Sequence, residues 1–215
     1  MTHFPKRYRI PARETRVEIT VVNSRFIATA APVFTVEEAK AFVARIRAEF
    51  ADATHNVPAF LVGHGSSVTA HCSDDGEPSG TAGRPALAVL QGSGLGDIAV
   101  VITRYFGGTK LGTGGLVRAY SDAMRAVLEA LPLAERVPTQ TLMLAVPYSL
   151  FERVRLLIAA HQGQIVDEDF AADVTVTAQF AVEHVADFQA GLQELSAGAL
   201  AAVVVASDDA TIMPV

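Results

Sequence analysis

The sequence has little of what secreted and membrane proteins rely on. It contains one cysteine, Cys72, so no internal disulfide can form, which fits a reducing compartment. Its longest apolar run near the C-terminus, AGALAAVVVA, is half as long as a bilayer-spanning helix, which needs roughly 20 residues. The basic segment MTHFPKRYRIPARE is followed by no apolar stretch, so we expect no secretory signal. These absences predict a soluble cytoplasmic protein without a membrane partner.

The standard signatures of metal and nucleotide enzymes are absent too. The chain has no H-E-x-x-H motif, no EF-hand spacing and no closely spaced cysteine pair. Gly107 and Gly112 have the glycine spacing of a P-loop, but Thr113 occupies the lysine position. A dinucleotide-binding fingerprint would need a third glycine where Val117 stands. We therefore expect neither a bound metal nor a cofactor.

Length and charge suggest how the chain is organised. The 215 residues, half of them hydrophobic, suffice for one large domain or two small ones. The net charge of −6 is uneven, with +4 on residues 1–50, −3 on residues 51–135 and −7 on residues 136–215. A polyanionic partner would therefore meet the front of the chain. An ordinary solvated surface of varying charge explains the same numbers equally well.

Hydrophobic periodicity predicts an α+β protein. Alternating apolar residues predict strands over 16–22 and 25–33. Thr35 and Glu38 form the pattern of a capping box, so a helix should begin there. Further along, the continuous apolar segment DIAVVIT predicts a strand that is buried on both faces. A second amphipathic helix is expected from about Gly115 onwards, with its apolar stripe facing a core.

A change of composition divides the chain in two. The segment LPLAERVPTQ, residues 131–140, has two prolines and several polar residues, which is typical of a linker. Beyond it the predicted elements follow the order βαββαβ, which is that of the ferredoxin-like fold. We therefore expect domains at 1–135 and 136–215, the second of them ferredoxin-like.

The glycine-rich segment RYFGGTKLGTGG, residues 104–115, is the first candidate site. It joins the predicted buried strand to a helix, where backbone N–H groups and the helix N-terminus favour an anion. A tight strand-to-helix turn without a ligand is the alternative. A second loop also places glycines before a helix. The candidate anion- or nucleic-acid-binding residues of the two loops are Arg104, Gly107, Gly108, Lys110, Gly112, Gly114, Gly115, Arg118, Gly80, Gly83 and Arg84.

The stretch DDGEPSGTAG supports a different hypothesis. Its carboxylates and the nearby histidines have the atom types of metal ligands or of acid/base catalysts. A phosphate- or nucleotide-binding enzyme, or a metal-dependent hydrolase, would use them together with residues 104–115. We favour a structural role, in which the carboxylates cap the following short helix or accept loop N–H bonds. The members of this alternative cluster are His55, His71, Asp74, Asp75 and Glu77.

Residues 71–123, with SRFIA at 24–28 and ATHNVPAFLVG at 53–63, closely resemble the IMPACT/YigZ family. The resemblance implies a first domain folded like the second domain of ribosomal protein S-five. It also implies a ferredoxin-like second domain similar to one in translation elongation factor G. Eukaryotic relatives regulate translation by binding a scaffold protein and so restraining a starvation-sensing kinase. Bacteria lack that pathway, so the resemblance implies the domain and not the circuit.

Two departures from the family pattern, Val57 and Phe60, stand where relatives commonly have a cysteine and a tyrosine. They argue against a catalytic thiol. Our leading hypothesis is a non-enzymatic cytoplasmic regulator linked to translation. It would bind RNA, the ribosome or a protein partner through its first domain, without a cofactor.

Overall fold

The computed structural model describes residues 7–214, apart from the side chains of Ser66 and Pro214. The chain is an α+β protein of two compact units, of which the first spans Tyr8–Glu135. The second spans Arg136–Met213 and includes Arg7. No helix among the described residues is long and apolar enough to cross a membrane.

The first unit is built on an antiparallel sheet in the order β2-β3-β6-β4-β5. Helix α1 packs on one face of this sheet, and α2 and α3 pack on the other. The elements are β1 (Tyr8–Pro11), β2 (Thr15–Val21), β3 (Ser24–Pro32), α1 (Val36–Glu49), β4 (His55–Val62), a 3-10 turn (Gly65–Ser67), β5 (Thr69–Cys72), α2 (Gly83–Gly92), β6 (Ile98–Tyr105) and α3 (Gly112–Ala130).

The central strand β6 explains why helices pack on both faces of the sheet. Its residues are buried from Ile98 to Arg104, as the continuous apolar run predicts. Val100 and Ile102 face the core under α2 and α3, whereas Ala99 and Val101 face α1. Because successive side chains of a strand point to opposite faces, one apolar strand supplies both cores.

Helix α1 begins as its capping box predicts. The side chain of Thr35 accepts a hydrogen bond from the Glu38 backbone N–H at 3.0 Å, and the Glu38 carboxylate accepts one from Phe34 N–H at 2.7 Å. Helix α3 differs from expectation at its start. It begins at Gly112 and not near Gly115, so three of the loop glycines form its first turn.

The second unit follows the predicted order of elements. They are β7 (Leu133–Val146), α4 (Tyr148–Ala160), β8 (Gln164–Phe170), β9 (Val174–Ala181), α5 (Val182–Ser196) and β10 (Val203–Pro214). Strand β9 pairs antiparallel with β7 and with β8, and β10 pairs with β7. Both helices pack on one core, where the rings of Phe180 and Phe188 lie 4.4 Å apart.

The prediction of a linker over residues 131–140 is wrong. Strand β7 begins at Leu133 and runs without interruption to Val146. Pro132 precedes the strand, and the buried Pro138 lies within it. Proline removes one backbone donor but is compatible with extended backbone, so two prolines do not make this segment a loop.

Candidate functional site

A cavity of about 380 Å³ opens in the first unit where the end of β6 meets the start of α3. We call it the α3 cleft. Both candidate clusters contribute to it, since His55 and Glu77 lie on one side and the glycine-rich segment lies on the other. Its polar and aromatic lining residues are Thr54, His55, Glu77, Arg104, Phe106, Lys110 and Thr113.

The buried carboxylate of Glu77 organises the floor of the cleft. Its Oε1 accepts hydrogen bonds from Arg104 Nη1 at 2.6 Å and from the Tyr120 hydroxyl at 2.8 Å. Burial raises the pKa of Tyr120, and the neighbouring Glu77 carboxylate raises it further, so the phenol stays protonated and donates. The second oxygen, Oε2, lies 3.8 Å from His55 Nε2.

Arg104 is committed to this buried network. Its side chain is only 6% exposed, and its charge is compensated by Glu77. The guanidinium carbon lies 5.5 Å from the ring centre of Phe26 and 5.6 Å from that of Phe106. This arrangement differs from the surface cation that the sequence suggested. It leaves Lys110 as the uncompensated cation among the described residues that line the cleft.

The opposite side of the cleft is the start of α3. This helix has no side-chain hydrogen bond at its N-cap residue, Leu111, and no acidic residue in its first turn. Its first residues Gly112 and Thr113 line the cleft, next to Lys110. The partial positive charge of the helix N-terminus therefore faces the cavity, and no acidic side chain of the first turn offsets it.

The glycine-rich segment owes part of its composition to packing. A Cβ on Gly107 would lie 1.9 Å from the backbone oxygen of Asn23, so only glycine fits there. The Gly107 N–H donates to Ser24 Oγ at 3.2 Å and is not available to a ligand. Gly108 faces open space but has a φ of +84°. Glycine is therefore favoured there by the backbone conformation and not by lack of room for a side chain.

The second glycine loop is occupied by its own protein. Asp74 accepts hydrogen bonds from the backbone N–H groups of Gly80 at 2.8 Å, Ala82 at 3.1 Å and Gly83 at 2.8 Å. The helix-capping interpretation of this carboxylate is therefore confirmed. Because Asp74 already neutralises the start of α2, the N–H groups of Gly80 and Gly83 do not present a second anion site.

We expect replacement of Asp74 with alanine to destabilise the first unit by about 0.5–2 kcal/mol at neutral pH. Burial opposes ionisation of Asp74, but the N–H bonds from Gly80, Gly83 and Ala82 outweigh it, and its pKa is lowered. A lowered folded-state pKa stabilises above the unfolded-state value and loses that effect as the pH falls through the folded-state value. The difference between wild type and variant should therefore shrink in acid.

Denaturant unfolding between about pH 7 and pH 3 measures this effect. Asp74→Asn is the non-titrating control, since its amide oxygen can still accept from Ala82 and Gly83, although its NH2 group cannot accept from Gly80. A difference between wild type and Asp74→Ala that stayed constant over this pH range would contradict the charged cap.

The side chains of Asp75 and His71 have partners outside the cleft. Asp75 accepts from Arg47 Nη2 at 2.5 Å and from the Asn56 backbone N–H at 2.6 Å. His71 lies on β5 against the ring of Phe60, at 5.1 Å, and lines a different groove. No group of three or more histidine, cysteine or acidic side chains among the described residues is arranged to hold a metal. The geometry therefore does not bring together the ligand set that the hydrolase hypothesis needs.

Two remaining predicted cations lie outside the cleft lining, and two important residues were not predicted. Arg84 and Arg118 are exposed on α2 and α3 and do not line the cavity. Phe106, 45% exposed, and Tyr120, fully buried, were missed. An aromatic residue directly before two glycines was a usable signal for Phe106. Tyr120 lay within the apolar stripe of its helix, which concealed its hydroxyl.

Comparison with known proteins identifies the family of this chain. The model of the Impact N-terminal domain matches residues 22–128, and that of a domain of unknown function (DUF1949) matches residues 144–199. IMPACT family member YigZ of Escherichia coli is 40% identical over 192 residues, which cover 89% of this chain and 94% of that protein. The chain belongs to the IMPACT family. This confirms the resemblance carried by residues 71–123.

Other relatives show how the similarity is distributed. An IMPACT family member of Haemophilus influenzae is 36% identical over 90% of this chain and 94% of its own length. Protein IMPACT of Bos taurus is 32% identical over 107 residues, 48% of this chain and 33% of that protein. A solved structure titled as a hypothetical protein has a TM-score of 0.60 and 37% identity, covering 93% of this chain and 98% of its own. Family likeness therefore extends over both units.

Proposed function

We propose that the first unit binds single-stranded RNA in the α3 cleft without catalysing a reaction, as part of a role linked to translation. One observation carries the proposal. A lysine, an uncapped helix N-terminus and a half-exposed aromatic ring meet in a single cavity. Nucleic-acid strands present phosphates and flat bases in regular alternation, which is the chemistry that such a cavity accommodates.

The phosphate and the base of an RNA strand each have a matching group in the cleft. A phosphate fits between Lys110 and the first N–H groups of α3, where the helix end contributes about 0.3–1 kcal/mol per anion. A base fits on the exposed ring of Phe106, and stacking on an aromatic side chain contributes about 1–3 kcal/mol per base. One cation and one ring predict weak, salt-sensitive binding. The second unit, with a net charge of −7 on residues 136–215, should not contribute.

The titratable groups of the site favour binding over catalysis. Oε1 of Glu77 is occupied by hydrogen bonds from Arg104 and Tyr120, which place this carboxylate in a structural network. Burial raises the pKa of the Cys72 thiol, and the charge of Asp74 raises it further, so this cysteine stays protonated. Neither group has the environment of an activated nucleophile.

Family membership supports the link with translation. The match to the Impact N-terminal domain, residues 22–128, lies within the first unit, and eukaryotic relatives are expected from the resemblance to act on translation. For a cytoplasmic protein linked to translation, the RNA bound in the cleft would be ribosomal RNA or RNA in a complex with protein. A purely protein partner is an outcome that the test below would reveal.

We also propose finer assignments for the two folds. The first unit would be similar to the second domain of ribosomal protein S-five, and the second would be ferredoxin-like. The order β7-α4-β8-β9-α5-β10, with β10 and β9 on either side of β7, supports the latter. The compact units Tyr8–Glu135 and Arg136–Met213 support the proposed domains at 1–135 and 136–215, although Arg7 belongs with the second unit.

A salt titration of RNA binding tests the proposed function. Replacement of Lys110 with alanine should lower the slope of log affinity against log salt by about 0.7, which is the contribution of one phosphate on a single strand. Fluorescence anisotropy with a labelled single-stranded RNA measures it. Lys40→Ala is the matched control, because Lys40 is an exposed lysine of the same unit that lines another groove. A slope near zero for wild type, or equal slopes for Lys110→Ala and wild type, would exclude the cleft as an RNA site.

A further inference from the structure

Two hydrogen-bond acceptors face each other in the α3 cleft. His55 Nδ1 lies 2.7 Å from the backbone oxygen of Asp75. Because a carbonyl oxygen only accepts, Nδ1 carries a proton, and in the neutral form of the ring Nε2 is therefore an acceptor. Nε2 in turn lies 3.8 Å from Glu77 Oε2, which is an acceptor in the ionised carboxylate.

Both acceptors lack a protein donor among the described residues, although the Glu77 side chain is only 3% exposed. Arg104 and Tyr120 bond to Oε1 of Glu77, and no described residue donates to its Oε2. The His55 side chain is 19% exposed, and both residues line the cleft. A nitrogen placed between acceptors 3.8 Å apart can lie about 2.9 Å from each of them. A ligand group with two N–H donors on one nitrogen therefore satisfies the pair.

The surroundings identify which donor suits the cavity. The same cleft is lined by Phe106, Pro78 and Leu116, which suit a flat, mostly apolar body. A nucleobase with an exocyclic amino group combines such a body with an NH₂ at its edge. A carboxylate that accepts from the cytosine amino group is an established pairing in nucleic-acid recognition.

We propose that His55 and Glu77 read the exocyclic amino group of a base held on Phe106, so that the cleft prefers cytosine to uracil. This inference rests on the proposed RNA binding. Uracil has the same size and ring but presents a carbonyl oxygen at the position of the cytosine amino group. Its oxygen would face two acceptors and lose both hydrogen bonds, which predicts a preference of about 10-fold or more.

The experiment compares labelled oligocytidine and oligouridine RNA of equal length, with the full-length protein at pH 8. Wild type should bind oligocytidine about 10-fold more tightly. His55→Phe should abolish the preference. His55→Gln should keep much of it, because its amide oxygen replaces the Nε2 acceptor. His71→Phe, the same substitution at a histidine outside the cleft, should behave like wild type, and circular dichroism should confirm that every variant is folded.

The possible outcomes distinguish recognition of the amino group from RNA binding in the cleft. Equal binding of the two RNAs by wild type would overturn amino-group recognition and leave RNA binding in place. A preference that survives in folded His55→Phe would also overturn it. Absence of binding to either RNA would overturn both, whereas a preference lost only in His55→Phe would support both.

Discussion

Replacing Glu77 with alanine should lower the free energy of unfolding of the first unit by about 3–5 kcal/mol. The substitution leaves the guanidinium of Arg104 buried without a counter-charge, and Arg104 Nε already has no hydrogen-bond partner. It also removes the acceptor of the buried Tyr120 hydroxyl. Urea unfolding of the full chain, followed by a probe in the first unit, measures the loss.

A double substitution distinguishes the buried charge from simple loss of packing. Glu77→Leu combined with Arg104→Met removes both charges and keeps apolar volume, so it should recover much of the stability lost in Glu77→Ala. Asp122→Ala breaks an exposed pair with Arg125 and should have little effect. If Glu77→Ala were as mild as Asp122→Ala, the network would not be a stabilising element of the cleft.

The second large effect is expected at Gly107. A methyl group there would meet the Asn23 backbone oxygen at 1.9 Å, and a backbone atom cannot move aside as a flexible side chain does. Gly107→Ala should therefore cost about 3 kcal/mol or more and displace the segment between β6 and α3. Thermal or denaturant unfolding would show the loss, and the displaced loop should also weaken RNA binding.

Two neighbouring glycines are matched controls for the same substitution. Gly108→Ala should cost only about 1 kcal/mol, because it faces open space and has only its positive φ of +84° to maintain. Gly114→Ala lies in the first turn of α3 with open space around it and should be neutral or slightly stabilising. Equal losses at all three positions would show that the close approach at Gly107 has no special importance.

The elements of the fold were largely predictable, because their signals are local. The capping box of Thr35 and Glu38 and the buried run of β6 are short-range patterns, and both occur as predicted. The start of α3 was misplaced because glycines in a first helical turn look like loop residues. The strand at Leu133 was misread because two prolines outweighed the extended pattern around them.

The candidate site could be predicted only in part. The enzyme alternative already combined the segments around Glu77 and Lys110, but residue types did not show which of their side chains would line the cleft. Arg104 was expected to bind an anion. Its actual partner, Glu77, lies 27 positions away in the sequence, and no local pattern indicates a pairing over that separation. The His55–Glu77 pair likewise depends on β4 and the loop after β5 meeting beside β6.

Local chemistry thus specifies where strands and helices form, since periodicity, caps and turns act over a few residues. Tertiary packing decides which charges a ligand can reach. Folding buries Arg104 against Glu77 and closes Asp74 over the start of α2, and it leaves Lys110 and the start of α3 open to the cleft. The physical reason is that the availability of a charged group depends on the distance and burial of its partners, which the fold sets across long separations in the chain.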